Sequence, residues 1–246
     1  MSHERANELP PAVPAHDPGR PLQIIGVLAL AAMAAMILGW RYGVRDTVVP
    51  KRLGEVKPGL IYRSGQLQPE ALEDTLTAFG IERIIALNAD DPPPPAEIAE
   101  ADIAARLGLR RDVFPLIGDG TGEIENYVRA IAAIDESVKA GDPVLVHCAA
   151  GTYRTGGVVV AYRLLVDGIS PEEGRRELLR YDWDPADVLL VDYLDEHMAT
   201  LATRLVELGV IERVPDPLPL LGETGVTSAI VDSPGETGTP APSQAK

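Results

Sequence analysis

A chain of 246 residues, 46% hydrophobic and 24% charged, holds one medium domain with its own core plus appendages, and excludes two full domains. The formal net charge of -15 excludes a surface built for nucleic acid, because phosphate backbones are bound chiefly through clustered Lys and Arg. The single cysteine, Cys148, excludes an intrachain disulfide and a zinc cluster of several thiolates, and as a working thiol it suits a reducing compartment.

In chain order, residues 1–20 are polar and rich in Pro and charge, and read as a disordered leader. The composition then changes abruptly. Residues 22–40 run without a charge between Arg20 and Arg41, and at about 1.5 Å per residue they match a hydrocarbon core of about 30 Å. Trp40 and Tyr42 stand where interfacial aromatics belong, so this segment is expected to be a transmembrane helix. A cleaved signal peptide fits less well, since no small-residue cleavage site follows the apolar run. Arg41, Arg45, Lys51 and Arg52 behind the segment outnumber Arg5 and Arg20 before it, which predicts a single-pass protein with a cytoplasmic C-terminal domain.

From residue 60 to 211 strand-like and helix-like pieces alternate. A strand is expected at 60–63, a helix at 69–79 with Pro69 in its first turn, and a buried strand at 83–87. Four consecutive prolines make 90–95 a loop. A helix at 96–107, a strand at 112–116, a Gly-rich loop at 118–122 and a helix at 123–139 follow. The apolar strand 144–146 then runs into His147 and Cys148, followed by helices at 155–166, 171–180 and 186–208. This alternation predicts an α/β domain, a central, mostly parallel sheet flanked by helices, over 50–213. From 215 to 246 Pro, Gly, Ser and Thr dominate and periodicity ends, which reads as a disordered tail.

The chemistry concentrates in 144–156: an apolar strand, a seven-residue loop from Cys148 to Arg154, and the start of a helix. Such a loop aims backbone N–H groups at the positive end of a helix, a ready site for a tetrahedral oxyanion, and phosphate is its natural occupant. A sulfur beneath that cradle is stabilised as the thiolate. Arg154 offers a planar fork for two phosphoryl oxygens, which a lysine cannot reproduce. Thr155 can aim its hydroxyl at the sulfur, and Gly151 suits a sharp inward bend. Taken alone, a free cysteine is most often a small buried hydrophobe, but the surrounding loop argues against that here. His3, His16 and His197 lack partners at ligand spacing and read as structural or solvated.

His147, Cys148, Gly151, Arg154 and Thr155 match the signature His-Cys-x-x-Gly-x-x-Arg-Ser/Thr, and the chain resembles the cysteine-dependent protein tyrosine and dual-specificity phosphatases. The segment Tyr62-Arg-Ser-Gly-Gln66 looks like the first-strand segment of the bacterial and atypical dual-specificity members. Five fixed positions arise by chance in about one such chain in ten thousand or fewer. The resemblance covers roughly 55–210. It implies Cys148 as nucleophile, Arg154 as phosphate clamp, Thr155 as assistant to the departing thiolate, and His147 as a support of the loop rather than a base. The amides of Ala149, Ala150, Gly151, Thr152, Tyr153 and Arg154 would form the cradle, with no cofactor and no metal required. The family also uses an aspartic acid on a separate loop as general acid. Asp119 in the Gly-rich loop is the first choice, with Glu123 and Asp184 as substitutes and a plain turn role as the alternative.

A rhodanese-type sulfurtransferase is the nearest competing enzyme, though its loop is usually one residue shorter, and a membrane scaffold that captures phosphorylated partners is the non-enzymatic one. A cysteine protease would need a histidine base separated from the nucleophile. The loop interior carries no lysine, which favours a phosphorylated protein, phosphotyrosine above all, over a polyphosphorylated inositol as substrate.

Overall fold

The structure, a computed structural model, describes residues 20–39, 51–88 and 90–222. Two units divide near residue 48. The first contains helix α1 (Arg20–Gly39), whose described side chains, such as Leu28, Met33 and Met36, are exposed. The transmembrane helix expected at 22–40 falls on α1 as far as Gly39. Among the described residues, no helix is long and apolar enough to cross a membrane. The expected leader up to residue 19 lies outside the described residues.

The second unit is an α/β domain. Its strands are β1 (Gly54–Lys57), β2 (Ile61–Gly65), β3 (Arg83–Ala86), β4 (Arg110–Val113) and β5 (Val144–Cys148), in the spatial order β1-β2-β5-β3-β4. Three pairings are parallel and β1 alone runs antiparallel to β2, so the sheet is mixed and mostly parallel. β5 lies in the middle and is buried along its whole length, which is why its sequence begins as the unbroken apolar run Val144-Leu145-Val146.

Strand alternation sorts side chains between two hydrophobic layers. Val144, Val146 and Cys148 join the larger one, while Leu145 joins the smaller one with Leu72, Leu76 and Ile84. The larger layer is closed by α4 (Ile124–Ala140), α5 (Tyr153–Tyr162), α6 (Pro171–Arg180) and α7 (Leu189–Glu207). The smaller is closed by α2 (Pro69–Ala78) and α3 (Pro95–Leu107). Cys148 therefore belongs to the side of α4 to α7, and the strand period sends His147 to the side of α2 and α3.

Several expected boundaries move. β1, read as linker, pairs antiparallel with β2, and Gly54 at its start leaves room for Tyr181, whose hydroxyl would lie 2.0 Å from an added methyl group. The last of the four prolines opens α3 instead of ending the loop, since a first-turn proline has no amide to lose. β4 is displaced to Arg110–Val113, although the N–H groups of Phe114 and Leu116 still reach the carbonyls of Ala86 and Leu87. α5 opens at Tyr153 and passes into one π-helical turn, Arg163–Asp167, closed by Gly168. α7 opens at Leu189, after a turn in which Asp184 accepts the amide of Ala186.

The folded unit also extends past 213 into the expected tail. Leu221 is fully buried, and Asp195 accepts the amides of Leu221 and Gly222 at 2.6 Å each. Residues 223–246 lie outside the described residues.

Candidate active site

The loop after β5 turns sharply at Gly151, whose φ of +80° strains any residue with a Cβ. Space demands glycine as strongly, because a methyl group there would sit 2.5 Å from Gly65 N and 2.7 Å from Ser64 C. Gly65 answers from the other side, since a methyl on it would lie 2.8 Å from the carbonyl oxygen of Ala150. The loop is thus pressed onto the end of β2, where the parallel register sets Gly65 opposite Cys148.

Three consecutive loop carbonyls are held from outside. Ala149 O accepts from Gln66 N at 3.2 Å, Ala150 O from Arg52 Nη1 at 2.8 Å, and Gly151 O from Arg63 Nη2 at 2.7 Å. A trans peptide directs its N–H opposite its C=O, so the N–H groups of Ala150, Gly151 and Thr152 point away from these three partners. Gly151 N–H donates to Cys148 Sγ at 3.1 Å. Cys148 is buried beneath this ring, and Tyr153 begins α5 directly above it, adding the positive end of a helix dipole.

Arg63 deserves its burial. It is fully enclosed, its guanidinium stacks 3.8 Å from the Tyr181 ring centroid, and Glu177 lies 3.9 Å from Nη1. Burial lowers its pKa to about 10, partly offset by Glu177, so the side chain remains a cation at neutral pH. Arg52 is fixed in turn by an ion pair of 2.9 Å with Asp182.

Arg154 and Thr155 fill the first turn of α5. Arg154 Nε and Thr155 Oγ1 are both buried donors with no hydrogen-bond partner among the described residues. Buried donors left unpaired cost about 1–3 kcal/mol each, and an oxyanion bound in the cradle would offer them acceptors. Thr152 is buried within the loop, whereas Tyr153 is partly exposed, with Asp187 and Asp184 close enough to affect its phenol.

Asp119 sits in a tight turn. Its Oδ1 accepts from Thr121 N at 2.9 Å and from Thr121 Oγ1 at 2.8 Å, the local pattern of an Asx turn. The next residue, Gly120, has a φ of +93°, and a methyl group on it would lie 3.2 Å from the carbonyl oxygen of Tyr153. The Asp119 loop therefore packs against the cradle. Tyr127 donates to Gly120 O and Tyr193 donates to Gly122 O, the latter at 2.7 Å, so two hydroxyls pin this loop from α4 and α7. Burial raises the Tyr127 pKa further than any other cause, with smaller contributions from Tyr193, Asp119 and Cys148, so its phenol is a fixed hydrogen-bond donor. Glu123 is exposed at the start of α4, beyond Thr121.

His147 faces Glu100 of α3, with Nε2 3.0 Å from Oε2. Glu100 also accepts from Gln66 Nε2 at 2.8 Å and Arg111 Nε at 2.9 Å. Burial works against ionisation of its carboxyl, but the proximity of His147 and the charge and hydrogen bond of Arg111 prevail and hold it well below the ordinary carboxylate range. Sequence reasoning singled out neither Glu100 nor the roles of Arg52, Arg63 and Gln66. One signal was available: Glu97 and Glu100 fall on the inward stripe of α3 in phase with Ala104, where an uncompensated charge would not be tolerated.

Comparison with known proteins agrees with this geometry. A model of the tyrosine phosphatase family matches residues 44–177, more than half of the chain, and the chain belongs to that family. Dual specificity protein phosphatase OPG106 of Vaccinia virus (strain Western Reserve) is 41% identical over 50 residues, 20% of this chain. That match spans 29% of the viral protein, under a third of its length.

Among solved structures, a mutant form of Tk-PTP superposes with a TM-score of 0.51 at 23% identity, over 63% of this chain and 97% of that one. The Siw14 catalytic core gives 0.52 at 18% identity, over 70% and 97%. PTPMT1 gives 0.52 at 15%, over 63% and 99%. At these identities the likeness is one of fold.

Proposed function

We propose that the chain hydrolyses phosphoric monoesters on proteins, phosphotyrosine first and phosphoserine or phosphothreonine where pocket depth admits them, through a phosphocysteine intermediate. Cys148 Sγ attacks phosphorus and the ester P–O bond breaks as the S–P bond forms. Asp119 gives its proton to the departing oxygen. The inward amides of the loop and the Arg154 guanidinium carry the charge of the transferring group. Water then attacks phosphorus and passes a proton to Asp119, the S–P bond breaks, and the Thr155 hydroxyl stabilises the leaving thiolate.

The observation that supports this reading is the outward capture of three successive carbonyls by Gln66, Arg52 and Arg63, on a loop whose Gly151 N–H donates to the sulfur. The test is hydrolysis of an aryl phosphate in EDTA, sensitive to vanadate and abolished in Cys148→Ser. Sulfur transfer from thiosulfate to cyanide instead would mark a sulfurtransferase, and phosphopeptide capture without turnover a scaffold. Either result would refute the proposal.

A membrane anchor at 22–40 with the enzymatic domain in the cytoplasm belongs to the same proposal. It is supported by the uncharged run and by the cations that follow it at Arg41, Arg45, Lys51 and Arg52. Carbonate-resistant membrane fractionation, together with protease protection of the C-terminal domain in sealed cells, is the expected outcome. Full release into the soluble fraction would remove the anchor.

A further inference from the structure

One carboxylate oxygen in the smaller layer touches both structures that bound the cysteine loop. Glu100 Oε2 lies 3.0 Å from Nε2 of His147, the residue before the nucleophile, and accepts at 2.8 Å from Nε2 of Gln66. Gln66, through its backbone N–H, holds the Ala149 carbonyl outward at 3.2 Å. The other oxygen of Glu100 is fixed by Arg111 Nε at 2.9 Å, which anchors the carboxylate to β4. Glu100 is itself 1% exposed, so water does not compete for these contacts.

The Gln66 amide has only one orientation compatible with this carboxylate, since its NH2 side must face Glu100, and its Oε1 has no partner among the described residues. Glu100 thus fixes the direction of that side chain and helps to set the pose of the residue that carries it. The peptide whose carbonyl Gln66 holds carries the N–H of Ala150, directly before the Gly151 N–H that donates to the sulfur.

We propose that Glu100 and Gln66 form a positioning couple that fixes the first peptide of the oxyanion cradle relative to Cys148, acting on the phosphoryl group only through that peptide and through His147. The inference rests on the phosphatase reading above. It goes beyond it by assigning a role to two residues outside the signature, one of them on a helix that contributes nothing else to the site.

Displacing catalytic groups by as little as 1 Å costs on the order of 100-fold in rate, so both side chains should register in turnover and in oxyanion affinity. Glu100→Gln, Gln66→Ala and the double variant would be compared in full-length protein for kcat, KM and vanadate inhibition of aryl phosphate hydrolysis. Direct vanadate binding, read by calorimetry without turnover, would accompany the kinetics. Each single variant should lower kcat and weaken vanadate by roughly 10-fold or more, with KM moving less, and the double variant should be no worse than the more damaged single one.

Should Glu100→Gln fail to fold, Gln66→Ala decides alone, because Gln66 is partly exposed and its backbone donor survives the substitution. Retention of kcat and vanadate affinity within about twofold in Gln66→Ala would overturn the couple, as would losses that multiply in the double variant. An inactive wild-type protein that still binds vanadate, and binds it more weakly in Gln66→Ala, would sink the phosphatase reading while sustaining this one.

Discussion

The two loops that meet at the site are held in opposite ways. The cysteine loop is secured by residues far away in sequence, with Arg52, Arg63 and Gln66 taking its carbonyls and Asp182, Tyr181 and Glu100 bracing those residues in turn. The Asp119 loop is tied mainly to itself, through Thr121, and by two tyrosine hydroxyls from the helices beside it. The position of the oxyanion cradle is therefore a property of the whole sheet, whereas the pose of the acid loop depends on a few bonds worth about 1 kcal/mol each. In the proposed reaction a cradle that presents several amides at once needs rigidity, and an acid that approaches and leaves a substrate oxygen does not.

The sharpest way to break the contrast is Gly151→Ala. The added methyl meets the backbone of Ser64 and Gly65, neither of which can yield, at a φ that alanine disfavours. Hydrolysis should vanish and vanadate binding with it, measured on folded protein. A variant that retained either would show the cradle to be as adaptable as the acid loop.

Asp119→Asn comes next. General acid–base assistance is typically worth about 10²- to 10⁴-fold, so kcat should fall within that range for phenyl phosphate and much less for an ester with an acidic leaving group, while vanadate affinity stays near that of wild type. An equal loss for both esters would move the role to Glu123 or Asp184. Tyr193→Phe removes one of the two hydroxyls pinning the acid loop. A loss of about 1 kcal/mol corresponds to a roughly fivefold drop in kcat, with no change in vanadate inhibition.

The smallest effect concerns the cradle's support and is read as stability. The Glu100 carboxyl is held below its unfolded value of 4.5, so its stabilising contribution is complete above that value and disappears as pH falls through the lower folded one. The gap in denaturation midpoint between wild type and Glu100→Gln should be constant from neutrality to about pH 5 and shrink below it. A gap that widened in acid would contradict the assignment.

The part of the site that was legible in the sequence is the part that is contiguous. Cys148, Gly151, Arg154 and Thr155 lie within eight consecutive residues, and their types alone point to the proposed anion loop around a thiol. The sheet was legible too, because β5 is apolar throughout its first three residues and buried on both faces. What escaped was held by distance. Arg63 looks like any arginine in a strand until Gly151 is placed beside it from 88 residues away. Glu100 looks like solvent-facing charge because glutamate is rarely buried without a partner, and its partners lie on β4, on β5 and in the loop after β2. β1 and the segment around Leu221 were missed for a related reason, since each is ordered by tertiary partners, β2 for the one and Asp195 and Arg175 for the other, and not by a pattern of its own.

Cys148 has no companion thiol anywhere in the 246 residues. When a small oxidant converts its sulfur to a sulfenic acid, the chain offers no second sulfhydryl with which to condense into a disulfide. Rescue then falls to an external thiol or to ring closure on a neighbouring backbone nitrogen. Failing both, further oxidation to the sulfinic acid would end the proposed turnover for good.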